Sequence, residues 1–139
     1  MEVKILSAGI VVIRKVDDDY SYLLLRAFKH WDFPKGVVEL GETPLDGACR
    51  EVKEESTIEQ LSFNWGYDYR ETGPYGAGKI ARYYIAETKQ SEVSLPINPE
   101  IGIPEHDEYR WVTYDEGKLL VSARVRSVLN WAQSIIGSH

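Results

Sequence analysis

The stretch that decides the fold runs from Gly36 to Ile58 and reads GVVELGETPLDGACREVKEESTI. In a helix, residues three and four positions apart lie on one face. A helix over the second half of the stretch therefore brings three carboxylates together, those of Glu51, Glu54 and Glu55. An apolar stripe with the same spacing would seat the helix on a core. The stripe consists of Leu45, Ala48, Cys49 and Val52.

Local signals place the beginning of this helix at Thr43. Thr43 is a good N-cap, Pro44 suits the first helical position, and Asp46 stands three residues after the cap. The helix is expected to end near Ser56. Gly47, inside it, costs up to about 1 kcal/mol relative to alanine, which indicates a close backbone contact at this position.

The three glutamates admit two interpretations. Like charges at this spacing disfavour a helix by a few tenths of a kcal/mol per pair unless something neutralises them. A hard divalent cation such as Mg²⁺ would do so, because it binds carboxylate oxygens while keeping waters and phosphate oxygens as further ligands. A solvated acidic face paired with Arg50 and Lys53 explains the same pattern equally well. The glutamates alone leave both interpretations open.

Composition limits the class of protein. With 139 residues and 43% hydrophobic content, the chain suits one compact domain spanning residues 1–139. A net charge of −6 argues against an extended nucleic-acid-binding surface, so any phosphate chemistry must be local. The N-terminus lacks the features of a signal peptide, no apolar run is long enough for a membrane span, and the single cysteine, Cys49, suits a reducing compartment. We expect a cytoplasmic protein without membrane contact; nothing in the sequence specifies an oligomeric state.

The rest of the chain predicts a mixture of strands and helices. Strands are expected at residues 3–15, 20–28, 61–72, 79–88, 93–95 and 109–114. The glycine-rich segment 73–78 predicts a hairpin loop between two of them. Helical spacing of apolar residues from Val125 to Ile136 predicts a closing amphipathic helix. Before the first helix, Pro34, Gly36 and Gly41 permit turns that would let main-chain groups meet a ligand.

The spacing of the charged residues resembles the signature of the Nudix hydrolase family. That signature is a glycine, five residues, a glutamate, seven residues, Arg-Glu, an aliphatic residue, any residue, Glu-Glu, any residue, a glycine and an aliphatic residue. Eight positions match, namely Gly36, Glu42, Arg50, Glu51, Val52, Glu54, Glu55 and Ile58. Thr57 departs from it, because the family has glycine there, which would supply a positive φ at little steric cost. The resemblance implies an α/β fold, an α/β/α sandwich around a mixed central sheet.

The resemblance also implies a metal site and a reaction, the hydrolysis of a nucleoside diphosphate linked to another group. Glu51 and Glu55 would be the main metal ligands, with Glu54 as a further ligand or proton acceptor. Backbone carbonyls near Lys35 and Gly36 would complete the shell of an ion. One to three Mg²⁺ ions are expected, with Mn²⁺ as a substitute. They would stabilise the charge that develops when water attacks a polyphosphate.

Two further residues of the signature would organise the metal ligands. On the family's pattern, Arg50 orients the glutamates and Glu42 supports that network.

Three flanking segments narrow the resemblance to one branch of the family, the asymmetric diadenosine tetraphosphate hydrolases. They are WDFPKG at 31–36, KIARYYIAET at 79–88 and PEHDEYRWV at 104–112. Two positions depart from this branch: Val37 replaces its usual histidine and Leu40 its usual proline.

Carried over by position, the branch assigns roles outside the signature. Glu105 would be a water-activating base or an extra ligand, Lys79 and Lys35 would contact the substrate, and Tyr83 would stack on a nucleobase. A solvated glutamate, an exposed lysine and a tyrosine packed in the core are the alternatives for Glu105, Lys79 and Tyr83. For His30 and His106, a surface or supporting position is favoured over a catalytic one.

The sequence therefore predicts a metal-dependent pyrophosphohydrolase acting on a small nucleotide, with cleavage of diadenosine tetraphosphate into ATP and AMP as the main expectation. Nucleotide sugars, nucleoside triphosphates and capped RNA ends are alternative substrates. A non-catalytic nucleotide-binding sensor is an alternative of another class. The intact Arg50-Glu51 and Glu54-Glu55 pairs favour the enzyme.

Overall fold

A computed structural model of the protein describes residues 5–137, so the predicted start of the first strand at residue 3 lies outside the described residues. The strands are β1 (Ile5–Val16), β2 (Asp19–Ala27), β3 (His30–Asp32), β4 (Lys35–Val37), β5 (Arg70–Tyr75), β6 (Lys79–Glu87), β7 (Ile97–Asn98), β8 (Ile103–Pro104) and β9 (Glu108–Val112). The helices are α1 (Pro44–Ser56), α2 (Tyr114–Leu120) and α3 (Ala123–Ile136).

A mixed seven-stranded sheet forms the centre of the molecule. β1 pairs in parallel with β6 and antiparallel with β2 and β4, while β9 extends the sheet beyond β2 and β5 extends it beyond β6. β7 and β8 form a separate two-stranded hairpin.

The hairpin of β1 and β2 opens into a wedge. The two strands pair directly only near their turn, between residues 13–16 and 19–22. Farther from the turn, β1 pairs with β4 and β2 pairs with β3. The short link from β3 to β4 therefore lies inside the opening. This geometry places the segment around Gly36 beside α1.

Both faces of the sheet are covered by helices. Alternate residues of β1 point to opposite sides, Val11 and Ile13 to one core and Ile10 and Val12 to the other. The first core is closed by α3 through Val125, Val128, Leu129 and Ala132, and the second by α1 through Ala48 and Val52. This arrangement confirms the predicted α/β/α sandwich around a mixed sheet.

Helix α1 has the predicted boundaries. Thr43 is the N-cap, and its side chain accepts a hydrogen bond from the backbone N–H of Asp46 at 3.1 Å. Cys49 is half-buried and packs at the edge of the second core.

Several sequence-based boundaries are wrong. The strand predicted at 61–72 begins only at Arg70, because the preceding residues form an irregular segment tied to β6 by a single bridge from Ser62 to Glu87. Residues 93–95 form no strand. The strand predicted to reach Tyr114 ends at Val112, since Thr113 caps α2 in a capping box with Glu116.

The predicted 73–78 loop is shorter than expected. β5 continues through a register shift to Tyr75, which leaves only 76–78 as the turn. Within residues 5–137, no helix combines the length and apolar character needed to cross a membrane.

Candidate active site

A cleft of about 1220 Å³ gathers most of the predicted site residues. Its walls come from β4, α1, the start of β6, the segment 95–100 and the residues before β9. Eight predicted site residues line it, namely Lys35, Gly36, Arg50, Glu51, Glu54, Glu55, Lys79 and Glu105. The structure thus brings residues from four separate parts of the sequence into one concave surface.

Two glycines permit the close packing of α1 on the residues before it. A Cβ atom at Gly36 would lie 2.1–2.4 Å from the carboxylate atoms of Glu51. A Cβ atom at Gly47 would lie 2.8 Å from Glu42 Oε1. Gly47 therefore makes the close contact that its unfavourable place in a helix indicated, and Gly36 is required for Glu51 to approach β4.

Arg50 holds the glutamates in place. Its Nε donates to Glu42 Oε2 at 2.7 Å, and its Nη1 donates to Glu51 Oε1 at 2.8 Å and to Glu54 Oε2 at 3.1 Å. Its Nη2 donates to the backbone carbonyl of Val37 at 3.0 Å and to Glu42 Oε1 at 3.0 Å. One guanidinium therefore ties α1 to the segment that follows β4.

Glu42 acts as the anchor of this network. Its carboxylate binds Arg50 through both oxygens and also accepts the backbone N–H of Glu39 at 2.9 Å. The hydrogen bond from Arg50 lowers the pKa of Glu42 to about 2. Glu42 therefore remains ionised throughout the physiological range.

Glu55 has the most unusual environment in the cleft. Glu55 is only 6% exposed. Its Oε1 accepts a hydrogen bond from the backbone N–H of Lys35 at 3.0 Å, and its Oε2 is buried without a hydrogen-bond partner. Burial, reinforced by the charges of Glu105 and Glu51, raises the pKa of Glu55 to about 9. Burial also raises the pKa of Glu51, although Arg50 opposes this shift. A buried carboxylate oxygen without a partner, beside further carboxylates, fits a bound divalent cation.

His106 also lies in this part of the cleft, where the sequence favoured a surface or supporting position for it over a catalytic one. A ligand atom of His106 and one oxygen each from Glu55 and Glu105 all lie within 4.8 Å of one another. Burial lowers the pKa of the His106 imidazole, which favours its neutral form. In the sequence, the one sign of this placement was that His106 follows Glu105 directly in PEHDEYRWV. His30, in contrast, is exposed on β3.

Tyr83 is not placed where it could stack on a nucleobase. The residue is fully buried, and its hydroxyl lies 2.9 Å from Asp32 Oδ1 and accepts a hydrogen bond from Arg124 at 3.0 Å. The tyrosine that lines the cleft is Tyr75, whose ring packs on the guanidinium of Arg124 at 4.3 Å. Sequence reasoning missed Tyr75 because it sits in a glycine-rich segment interpreted as a loop.

Comparison with known proteins agrees with this geometry. The model of the NUDIX domain matches residues 4–132. The chain belongs to the Nudix hydrolase family. A rat protein named asymmetrical bis(5'-nucleosyl)-tetraphosphatase is 34% identical over 122 residues, covering 79% of this chain and 80% of the relative. The protein of that name from Caenorhabditis elegans is 31% identical over 130 residues, covering 88% and 90%.

A solved structure is also similar to this Nudix chain. The crystal structure of a C. elegans Ap4A hydrolase binary complex superposes with a TM-score of 0.82 and 28% identity, covering 96% of this chain and 99% of that one. The predicted resemblance to the asymmetric diadenosine tetraphosphate hydrolase branch is therefore confirmed.

Thr57 departs from the Nudix signature without changing the exit of α1. Its backbone adopts the left-handed conformation with φ 65° and ψ 10° that the family's glycine would favour. Loop contacts hold it there, since its carbonyl accepts from Gln90 Nε2 at 3.0 Å and its hydroxyl accepts from the backbone N–H of Ser94 at 3.2 Å. The segment that follows β6 thus stabilises a conformation that threonine alone disfavours.

Proposed function

We propose that this Nudix hydrolase cleaves dinucleoside polyphosphates in a divalent-cation-dependent reaction, and that diadenosine tetraphosphate, split into ATP and AMP, is its main substrate. The observation that carries the proposal is the buried, unpartnered Oε2 of Glu55. Glu55 lines the cleft together with further carboxylates and with lysines. Such a site is built to hold a cation next to an anionic ligand.

The residues that would hold the cation are Glu51, Glu54 and Glu55, together with the backbone of Gly36. Mg²⁺ suits this set because its oxygen ligands leave positions for water and phosphate oxygens, and Mn²⁺ can replace it. A bound ion would supply positive charge to the phosphate oxygens and lower the pKa of water. Arg50 keeps Glu51 and Glu54 oriented through the hydrogen bonds described above.

The reaction transfers the phosphoryl group to water. The oxygen of water forms a bond to phosphorus, the anhydride P–O bond breaks, and a carboxylate takes the proton of the water. We assign this proton transfer to one carboxylate oxygen of Glu105, a residue that is exposed on the cleft and lies next to Glu55; its other oxygen remains available to a cation. Glu54, bound by Arg50 at 3.1 Å, is the second candidate for proton acceptor.

Lysines and one aromatic ring would bind the substrate. Lys35 and Lys79 line the cleft and supply local positive charge in a chain of net charge −6. The ring of Tyr75 offers a face on which any base can stack. The cleft volume of about 1220 Å³ exceeds the roughly 300–1,000 Å³ typical of small-molecule sites, as an elongated dinucleotide requires.

The experiment that tests this proposal is a substrate panel with Mg²⁺ and with Mn²⁺. It should contain dinucleoside polyphosphates, nucleotide sugars, nucleoside triphosphates and a capped RNA end. We expect the largest kcat/KM for diadenosine tetraphosphate, with ATP and AMP as products. A place among the poorest substrates would contradict the proposal. Tight nucleotide binding without any hydrolysis would favour the sensor instead.

A further inference from the structure

The cleft contains two sets of charged groups with different ligand chemistry. Arg50 pairs with Glu42, Glu51 and Glu54, so that set offers carboxylate oxygens already shared with a guanidinium. Glu55 lies at the junction with a second set that also contains Glu105 and His106. The second set adds an imidazole nitrogen to its carboxylate oxygens.

The backbone on the C-terminal side of His106 is fixed by contacts with β2. The next residue, Asp107, donates its backbone N–H to the carbonyl of Arg26 at 2.9 Å. The Asp107 carboxylate also accepts from Arg26 Nε at 2.8 Å. His106 is half-buried on the cleft wall. These contacts fix the backbone at the entry to β9, where a ring nitrogen of His106 lies within 4.8 Å of a Glu55 oxygen.

The spacing of this second set suits one ion. Ligands about 2.1 Å from an ion can be up to about 4.2 Å apart, and the three ligand atoms lie within 4.8 Å of one another. Small rotamer adjustments would close this difference. Independently, Glu55 Oε2 is buried without a hydrogen-bond partner, as expected for an atom that has a ligand when the site is filled.

We propose that His106 supplies an imidazole nitrogen to a divalent cation shared with Glu55 and one carboxylate oxygen of Glu105, and that this position favours Co²⁺ over Mg²⁺. Imidazole suits transition metals, whereas Mg²⁺ requires oxygen ligands. The inference rests on the cation dependence proposed above but not on the proposed substrate. The cleft would then hold one cation position with nitrogen and oxygen ligands, beside a second position whose ligands are all oxygen atoms.

A spectroscopic experiment tests the nitrogen ligand directly. The untagged chain is labelled with ¹⁵N-histidine, loaded with Mn²⁺ in the absence of substrate, and examined by pulsed electron paramagnetic resonance. We expect the coupling of a directly bound ¹⁵N nucleus, its loss in His106→Gln, and its retention in the matched control His30→Gln. Absence of the coupling in the wild type overturns the inference even if the variant does not fold, and so does its persistence in His106→Gln.

Calorimetry with the metal ions alone tests the selectivity. We expect His106→Gln to weaken Co²⁺ binding by about 10-fold or more, as loss of even an indirect metal partner does, and to change the Kd for Mg²⁺ less than about 3-fold. An equal loss for both ions, or no loss for Co²⁺, overturns the inference. If the substrate panel shows no hydrolysis while the nitrogen coupling is present, the proposed function fails and the metal position stands.

Discussion

Glu55 links the stability of the protein to the chemistry of its cleft. In the absence of a cation, burial raises the pKa of its carboxyl group from the ordinary value of 4.5 to about 9. Between these values the folded state keeps a proton that the unfolded state has released. Stability must therefore fall as pH rises through this window, and cation binding must oppose that fall.

This environment predicts the behaviour of Glu55→Gln. Without metal, the wild type should lose up to about 1.4 kcal/mol of stability per pH unit from this one group between pH 5 and 9. In the variant, stability should no longer fall with pH through this group, because glutamine does not titrate. The variant should therefore be more stable than the wild type at pH 8. Its turnover should drop by orders of magnitude, because a ligand charge is gone. Denaturant unfolding in a chelator and steady-state kinetics measure the two effects.

Glu92→Gln is the matched control, because Glu92 is exposed and lies outside the cleft lining. It should leave both the pH dependence and the turnover unchanged. Wild-type activity in Glu55→Gln would refute the assignment of Glu55 as a metal ligand.

At this scale, sequence spacing predicted much of the site. Helix spacing predicted that Glu54 lies one turn from Arg50, and the resemblance to the Nudix signature predicted the contacts of Arg50 with Glu51 and Glu42. The buried state of Glu55 could not be predicted in the same way, because it depends on β4 folding over α1. Thr57 shows a related limit: its left-handed conformation is stabilised by Gln90 and Ser94, more than 30 residues away.

Among the elements, the β5–β6 hairpin determines which aromatic ring faces the cleft. Tyr75 ends β5 and Lys79 begins β6, and both line the cleft. Tyr83 lies farther along β6 in the core. A sequence match alone pointed to Tyr83, because residues 79–88 align with a branch motif while the strand character of Tyr75 was hidden by its glycine and proline neighbours.

Tyrosine variants separate the two roles. If Tyr75 stacks on a base, Tyr75→Leu should raise KM for diadenosine tetraphosphate by about 5- to 150-fold, since stacking contributes about 1–3 kcal/mol per base. Tyr83→Phe loses hydrogen bonds to Asp32 and Arg124, so it should lower the free energy of unfolding by about 1–3 kcal/mol and leave KM unchanged. The reverse pattern in kinetics and denaturant titrations would restore Tyr83 as the stacking residue.

Helix prediction succeeded where a long apolar stripe accompanied a cap and failed where only the cap was present. α1 has both and was predicted at its observed boundaries. α2 has a complete capping box at Thr113 and Glu116 but only 7 residues, too few for helical periodicity to appear. Tyr114, the first residue of α2, was therefore assigned to the preceding strand.

Across the whole molecule, a polar contact fastens the helix layer on one face to the sheet. Arg124 at the start of α3 donates to Asp32 Oδ2 at 2.7 Å and to the hydroxyls of Thr72 and Tyr83 at 3.0 Å. The Arg124 and Asp32 side chains are 25% and 20% exposed. The Arg124–Asp32 contact joins residues 92 positions apart, so no local pattern could predict it. Helical spacing predicted α3, and the family resemblance predicted the sandwich of layers that this contact joins.

Removing this contact should destabilise the fold. We expect Arg124→Ala to lower the free energy of unfolding by about 1.5–3 kcal/mol, the range for hydrogen bonds to charged groups. Combining it with Asp32→Ala should give a non-additive effect of about 0.5–3 kcal/mol. Lys53→Ala is the control, because its ion pair with Glu59 is exposed and should contribute less than about 1 kcal/mol. Additive effects of Arg124→Ala and Asp32→Ala in denaturant titrations would contradict this interpretation.

Because β4 lies in the wedge between β1 and β2, the number of residues that lead into it matters as much as their identity. β4 is three residues long and pairs Gly36 with Ala8 in one register. A shift by one residue would reverse its faces, turn Gly36 away from Glu51 and place a side chain where the carboxylate now lies. A related chain with one residue more or fewer between Asp32 and Lys35 would keep every glutamate of the signature and lose the geometry of the site. Genome searches that score the signature alone would count such a chain as an active hydrolase.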